Sequence, residues 1–247
     1  MKKTFKVACI GLALALAFST AACSDSGKIV KSAEELKEYL DSQPANSPDK
    51  PIKVAINAKN LVLWNISDTI KSSGKYVSID LSGSPITTIP NFAFCDEDTK
   101  EGCTGLIGIT LPNSVTGIGD YAFAGCSGLN SLAIPKNVHT IGTLAFIGCT
   151  SLNSLTIPDR VVIIYDGAFA YCTSLTSVTI PKSVYEIWDG AFYECTSLTS
   201  VTFEGMITNF LYDDSFPGDL RAKYKAARGG IGTYKRTSGK SETWTKQ

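Results

Sequence analysis

The stretch CTSLTSVTIPKSVYEIWDGAFYE, residues 172–194, decides the fold because its pattern recurs along the chain every 23 residues. Leucine follows the cysteine by three residues, a run of alternating aliphatic residues leads to proline, and each period closes on Ala-Phe. A period in the low twenties is typical of a solenoid, whose coils bury little alone and stack on their neighbours. The cysteines that fall in register are Cys103, Cys126, Cys149, Cys172 and Cys195.

Each coil contains two different halves. LTSVTI, residues 175–180, places alternate residues on one face, as a short strand requires. Pro181 follows, where a missing N–H costs least and forces a turn. The second half ends on small Ala191 beside large Phe192, so that successive layers can interlock. The pattern predicts a curved stack of coils with a parallel strand ladder on one face.

The repeat resembles the BspA-like leucine-rich repeats of bacterial surface proteins, with consensus C-x-x-L-x-x-I-x-I-P-x-x-V-x-x-I-G-x-x-A-F. The resemblance covers about residues 77–216 and implies a leucine-rich repeat solenoid. Four segments are predicted: a signal peptide (1–22), a lipidated N-terminus with an N-terminal cap (23–75), the solenoid (76–216) and a C-terminal cap (217–247).

Caps are predicted at both ends, since an array of repeats needs distinct terminal units. Ser32-Ala33-Glu34-Glu35 is a capping box that opens a helix to about Ser42, and IKVAINA (52–58) reads as a strand, which together predict a small α/β cap. Asp219 is predicted to begin a short helix ending near Gly229. GTYKR (232–236) and SETWT (241–245) are predicted to form a hairpin over the open edge.

The N-terminus has the features of an export signal. Three lysines precede an apolar run from about Val7 to Phe18, which is too short to span a bilayer. The run ends at Thr20-Ala21-Ala22-Cys23, which resembles a bacterial lipoprotein signal, although Thr20 stands where leucine is usual. Cys23 is therefore predicted to be the lipidated first residue of the mature chain. The alternative is ordinary cleavage after Ala22, leaving Cys23 an unmodified thiol.

The charge balance argues against two classes of partner. Without residues 1–22 the chain has 20 basic and 23 acidic side chains, which favours neither nucleic acid nor an anionic membrane surface. The membrane is expected to be reached through the N-terminal lipid only. Residues 217–247 are basic, with eight Lys or Arg against two acids. This tail either binds something anionic or docks on the same molecule.

No catalytic or metal-binding motif stands out. One cysteine per coil forms a line, whereas a zinc site needs ligands around one point, so the cysteines are interpreted as core residues. Cys95 and Cys103 flank an acidic insertion and are predicted either to form a disulfide or to pack as free thiols. The single histidine, His139, lies at a variable position. We therefore predict a protein that is not an enzyme and has no cofactor.

The departures from the repeat suggest where a partner would bind. The consensus glycine is kept at Gly119 and Gly142 but is replaced by aromatic residues in the later coils. Neighbouring outward positions there are also apolar, which predicts an exposed protein-binding patch. The alternative is that the C-terminal cap covers it through Leu211, Tyr212 or Trp244. The patch consists of Val162, Ile163, Tyr165, Tyr185, Trp188 and Tyr193.

The resemblance also implies a function. BspA-like proteins are typically surface-displayed adhesins that bind host matrix proteins such as fibronectin and fibrinogen, or other bacteria. We therefore expect a monomeric lipoprotein, anchored in the outer membrane at the cell surface, that binds a protein partner. The alternative is a structural or periplasmic-facing envelope lipoprotein that interacts with proteins without adhesion.

Overall fold

The computed structural model describes residues 28–210, 214–226 and 229–247. The predicted signal peptide (1–22), the lipidation site Cys23, and Leu211 and Tyr212 lie outside the described residues.

The N-terminal cap consists of three parallel strands and two helices. In chain order these are β1 (Lys28–Val30), α1 (Ala33–Ser42), β2 (Ile52–Ile56), α2 (Leu63–Ser73) and β3 (Val77–Asp80). The strands pair in the order β1, β2, β3. Ser32 Oγ accepts a hydrogen bond from the Glu35 N–H, which fixes the start of α1. The cap therefore has a helix in each place where a repeat coil has its second strand.

Helix α2 was not among the sequence predictions. Val62 precedes it without a side-chain cap, so the start carries no capping motif. Its buried residues Leu63, Ile66 and Ile70 nevertheless follow helical spacing, and Gly74 ends the helix with a φ of 62°. This spacing was the signal that would have predicted it.

The repeats contribute strands to two ladders. Val178 pairs with Leu155 on one side and Val201 on the other, so each step of the first ladder advances 23 residues. The parallel ladder predicted from the repeat is confirmed. In chain order the strands are β4 (Thr88–Ile89), β5 (Leu106–Thr110), β6 (Gly117–Ile118), β7 (Ser131–Ala133), β8 (Thr140–Ile141), β9 (Leu155–Thr156), β10 (Ile163–Ile164), β11 (Ser177–Ile180), β12 (Glu186–Ile187), β13 (Ser200–Phe203) and β14 (Asn209–Phe210).

Both ladders are divided into two hydrogen-bonded runs. In the first ladder, β5 and β7 extend the sheet of the N-terminal cap, and β9, β11 and β13 form a second run. The second ladder is made of β4, β6 and β8, followed by β10, β12 and β14. The core lies between the two ladders, and the inward leucine, valine and isoleucine positions are buried.

A column of stacked phenylalanines runs through this core. Neighbouring ring centroids are 4.7–5.4 Å apart, and neighbouring ring planes differ by 17° or less. All six rings are buried, and each of the four inner rings lies between the rings of the two adjacent coils. The members are Phe94, Phe123, Phe146, Phe169, Phe192 and Phe216.

The C-terminal cap covers the last coil with α3 (Leu220–Lys225), β15 (Gly232–Lys235) and β16 (Thr245–Lys246). Strand β15 pairs antiparallel with β13, so it occupies the edge where another coil would add a parallel strand. Helix α3 ends four residues before the predicted end. The second hairpin strand also begins later than predicted, because the backbone N–H of Trp244 donates to Asp219 Oδ1 at 2.8 Å instead of to the hairpin. The Trp244 side chain is buried, and its indole N–H donates to Pro217 O.

Basic side chains of this cap bind carbonyls at the end of the solenoid. The buried Arg236 guanidinium donates to the carbonyl oxygens of Cys195, Thr196 and Leu198, which have no following coil to pair with. Lys225 Nζ donates to Phe210 O at 3.0 Å. Of the two interpretations of the basic tail, docking on the same molecule accounts for these residues.

Candidate binding surface

The apolar departures from the repeat lie on the second ladder of the later coils. The Tyr185 N–H donates to Val162 O at 3.1 Å, so these two residues are neighbours on adjacent coils. Their side chains are 43% and 39% exposed. Ile163, at the start of β10, is half-buried and pairs with Glu186. The structure therefore brings these predicted residues onto one surface.

Tyr165 and Trp188 form the aromatic centre of this surface. Their rings meet edge to face with centroids 4.9 Å apart, and both side chains are half-buried. The Trp188 indole N–H donates to a Glu186 carboxylate oxygen at 3.0 Å, and the other oxygen of Glu186 accepts from Asn209. Trp188 therefore also packs within the protein, and its loss would disturb the ladder.

The earlier coils have no space for these aromatic side chains. A Cβ on Gly119 would lie 2.6 Å from the backbone nitrogen of Asn91, and one on Gly142 would lie 2.6 Å from that of Asp120. Real Cβ contacts are never this short, so glycine is required where the coils approach so closely. The aromatic surface is thus confined to the later coils.

Tyr193 belongs to the predicted patch, but its aromatic neighbour is a tyrosine outside that patch. Its ring meets that of Tyr171 edge to face, with centroids 5.5 Å apart. Within the described residues, no ring contact joins Tyr193 to Tyr185 or Trp188. We therefore distinguish the second-ladder patch (Val162, Ile163, Tyr165, Tyr185 and Trp188) from the tyrosine pair (Tyr171 and Tyr193).

The described part of the C-terminal cap leaves the patch open. Trp244, one of the residues that could have covered it, is fully buried against Pro217 and the Arg236 guanidinium. Val162 and Tyr185 keep the exposure given above in the presence of that cap. The other two residues of that alternative, Leu211 and Tyr212, lie outside the described residues.

The cysteines in register are core residues. Four of the thiols donate to the carbonyl of a phenylalanine in the preceding coil, as Cys149 does to Phe123 O at 3.2 Å. Burial raises the pKa of all five thiols, to about 11 for Cys103 and about 12 for Cys195. They are therefore protonated at neutral pH and poorly suited to nucleophilic or metal chemistry.

Cys95 and Cys103 are both buried free thiols in the structure, and the disulfide between them stays a prediction. Cys103 Sγ donates to Ser67 O in the N-terminal cap, whereas Cys95 Sγ donates to Asp96 O in the insertion. The two thiols thus bind different parts of the molecule. Among the described residues no group of three or more potential metal ligands is close enough to hold an ion.

The fold and the repeat register together define a leucine-rich repeat solenoid. The family model of the BspA type leucine rich repeat region matches residues 87–219 with six copies of the repeat. The chain therefore belongs to the BspA-type leucine-rich repeat family, and repeats of this kind generally serve as scaffolds for protein–protein interaction.

Solved structures of bacterial leucine-rich repeat proteins resemble this one. A leucine-rich repeat protein from Bacteroides ovatus is 25% identical, with a TM-score of 0.51, over 67% of this chain and 44% of that protein. This chain thus spans less than half of that relative's length. The leucine-rich repeat protein of T. pallidum is 25% identical over 61% of this chain and 69% of its own, with a TM-score of 0.45.

A leucine rich cell surface protein from Faecalibacterium prausnitzii is 23% identical over 62% of this chain and 52% of its own, with a TM-score of 0.34. The comparison with curated proteins gave no match. Within the part of the chain that the structure describes, no helix has both the length and the apolar character needed to cross a membrane.

Proposed function

We propose that this protein is an exported, lipid-anchored, non-enzymatic binding module of the cell surface, and that it adheres to a host matrix protein or to a protein on another bacterium. Membership of the BspA-type family supports a protein-interaction role. The observation that carries the binding part of the proposal is the exposure of Val162 and Tyr185 side by side on a rigid ladder. Exposed aromatic residues on rigid elements are the usual anchors of protein interfaces.

Removing the exposed members of the second-ladder patch should weaken binding without unfolding the protein. We expect a Val162→Ser, Tyr185→Ser variant of residues 24–247 to bind its partner at least about tenfold more weakly, since buried tyrosines in interfaces commonly contribute 2 kcal/mol or more. Surface plasmon resonance against immobilised fibronectin, fibrinogen and bacterial surface extracts measures this. Trp188 is left intact because it also packs within the ladder.

A matched control comes from the same column of the earlier coils. A Thr116→Ala, His139→Ala variant changes the equivalent positions and should bind like the parent chain, with the same melting temperature. Equal affinity of the parent and the Val162→Ser, Tyr185→Ser variant for every captured partner would exclude the patch. Absence of any partner would favour the structural envelope lipoprotein over an adhesin.

Export and lipidation are tested separately in cells. We expect mass spectrometry of the purified protein to show a mature N-terminus at Cys23 that carries a diacylglycerol and an acyl group. More than one acyl chain is expected because a single acyl chain anchors a protein to a membrane only weakly. We also expect protease added to intact cells to digest the protein, whereas a periplasmic-facing chain would be protected. A Cys23→Ala variant is the control, and an unmodified Cys23 would contradict the lipoprotein proposal.

A further inference from the structure

A cleft of about 630 Å³ lies at the C-terminal end of the solenoid. One side is the end of the last full coil, and the other sides are residues 214–219 and the loop of the C-terminal cap that runs from 236 to 243. The residues that line it do not include the second-ladder patch. The side chains used below are Tyr193, Glu194, Asp214, Asp219, Arg236 and Glu242.

Two exposed tyrosine side chains lie at this cleft. Tyr193 lines it, and Tyr171 lies against Tyr193 with the two ring planes at 78°. The side chains are 40% and 45% exposed. Rings set at a right angle do not make the flat platform on which a sugar ring would stack. A cation, by contrast, needs only one open ring face within about 6 Å.

The cleft carries an excess of negative charge. Glu194, Asp214 and Glu242 line it, and the Asp219 carboxylate, also in the lining, is paired with Lys223 at 3.6 Å. The one cation of the lining, Arg236, is 5% exposed and directs its guanidinium at backbone carbonyls. Its charge also acts on Glu242, so the lining holds four carboxylates and one guanidinium, a net negative charge.

The carboxylates beside the cleft are close enough to interact. The pKa of Asp189 is raised, first by a side-chain hydrogen bond with Asp214 and also by burial and by the charges of Asp214 and Asp166. Like charges this close favour the protonated form. Of these aspartates Asp214 lines the cleft, and a positively charged group beside it would oppose that effect, so this side of the cleft is complementary to a cation.

The repeat does not require these side chains. At the position that Tyr171 and Glu194 occupy, the earlier coils have Gly125 and Gly148, and all four residues have a φ between 54° and 70°. A left-handed conformation costs a residue other than glycine roughly 1–2 kcal/mol. The later coils therefore carry a tyrosine and a glutamate where the fold alone favours glycine.

We propose that this cleft binds a cationic side chain, arginine or lysine, of a peptide segment in a protein partner. The ring faces of the tyrosine pair would lie against the cation, and the carboxylates of Glu194 and Glu242 would accept its N–H groups. The site differs from the second-ladder patch, so it does not rest on the adhesion proposed above.

Acetyl-triarginine-amide is the probe, and its tricitrulline analogue, which has the same shape without the charge, is the control ligand. Isothermal titration of residues 24–247 should show binding of triarginine only, weakening as the salt concentration rises from about 20 mM to about 150 mM. We expect Glu194→Gln to weaken triarginine binding about fivefold to tenfold, the usual range for one charge-assisted contact. Tyr193→Leu, which keeps every carboxylate, should also weaken it.

Glu38→Gln removes an exposed carboxylate on the remote helix α1 and should leave the affinity unchanged. Thermal melting of each variant shows whether the fold is retained. The proposal is overturned if the parent chain does not bind millimolar triarginine, if tricitrulline binds equally well, or if folded Glu194→Gln and Tyr193→Leu variants keep the parent affinity. None of these results depends on whether a matrix protein is bound by the second-ladder patch.

Discussion

Raising the pH from 8 to 9.5 should lower the free energy of unfolding by about 6 kcal/mol. Five thiols are buried, and burial raises the pKa of each above that of an exposed thiol. In the unfolded chain each thiol has a pKa of about 8.5. Each therefore contributes about 1.2 kcal/mol to this loss.

The sign follows from proton binding in the two states. Well below about pH 8.5 both states hold the thiol protons, so the full stability is present. Above about 8.5 the unfolded chain loses these protons while the folded chain keeps them, so stability falls as the pH rises towards the folded pKa values. A loss of about 6 kcal/mol is comparable with the whole stability of many domains, so we expect the protein to be close to unfolding near pH 10.

Urea unfolding followed by circular dichroism at pH 7, 8, 9 and 9.5 measures this dependence, with a reductant present to prevent oxidation. Cys149→Ala is the control, because it removes one of the five titrating thiols. It should reduce the change in unfolding free energy between pH 8 and 9.5 by about one fifth. Any stability that this variant loses through packing is measured at pH 7, where the thiols do not titrate. An unfolding free energy that stays constant between pH 8 and 9.5 would show that these thiols are not buried as the structure has them.

The second large effect is expected for Phe146→Ala, which should destabilise the protein by about 4 kcal/mol. Phe146 is fully buried and lies between the rings of Phe123 and Phe169, at centroid distances of 5.1 and 5.4 Å. Its truncation leaves a cavity in the middle of the column and removes two stacked pairs, each worth about 0.5–1.5 kcal/mol beyond the buried area. Chemical denaturation of the purified chain measures the loss.

Phe92→Ala provides a matched comparison, since Phe92 also stacks on a neighbouring ring, that of Tyr121 at 5.0 Å, but is only half-buried. We expect a loss of about 1 kcal/mol there, because surrounding solvent fills the space. Phe146→Leu, which keeps most of the volume, should fall between the two. If Phe146→Ala and Phe92→Ala had equal effects, the buried column would not be a main source of stability.

The ladders could be predicted from the sequence because a solenoid repeats one set of contacts. Val178 pairs with Leu155 in the preceding coil and with Val201 in the following coil, so the spacing of the repeat along the chain is also the register between the strands. The caps are less predictable, since each contact in them occurs once. Helix α2 was missed although its apolar spacing was present, and Trp244 shortened the predicted second hairpin strand by donating its backbone N–H to Asp219.

The candidate site was predicted in part for the same reason. Departures from the repeat identified Val162, Tyr185 and Trp188, because a position that the core does not constrain is visible in an alignment of coils. The pairing of Tyr193 with Tyr171 was not, since these residues occupy different positions in their coils and meet between adjacent coils. The cleft beside them depends on how the C-terminal cap docks, which no repeat specifies.

The sequence by itself therefore determined the class of fold, the register of the strands and the residues of the core, because period and hydrophobic pattern are local properties that stacking converts directly into contacts. Only the tertiary structure decided which aromatic side chains remain exposed and where carboxylates surround a cleft. These features depend on side chains far apart in the chain, Glu194 and Glu242 among them, that come together only when the last coil meets its cap.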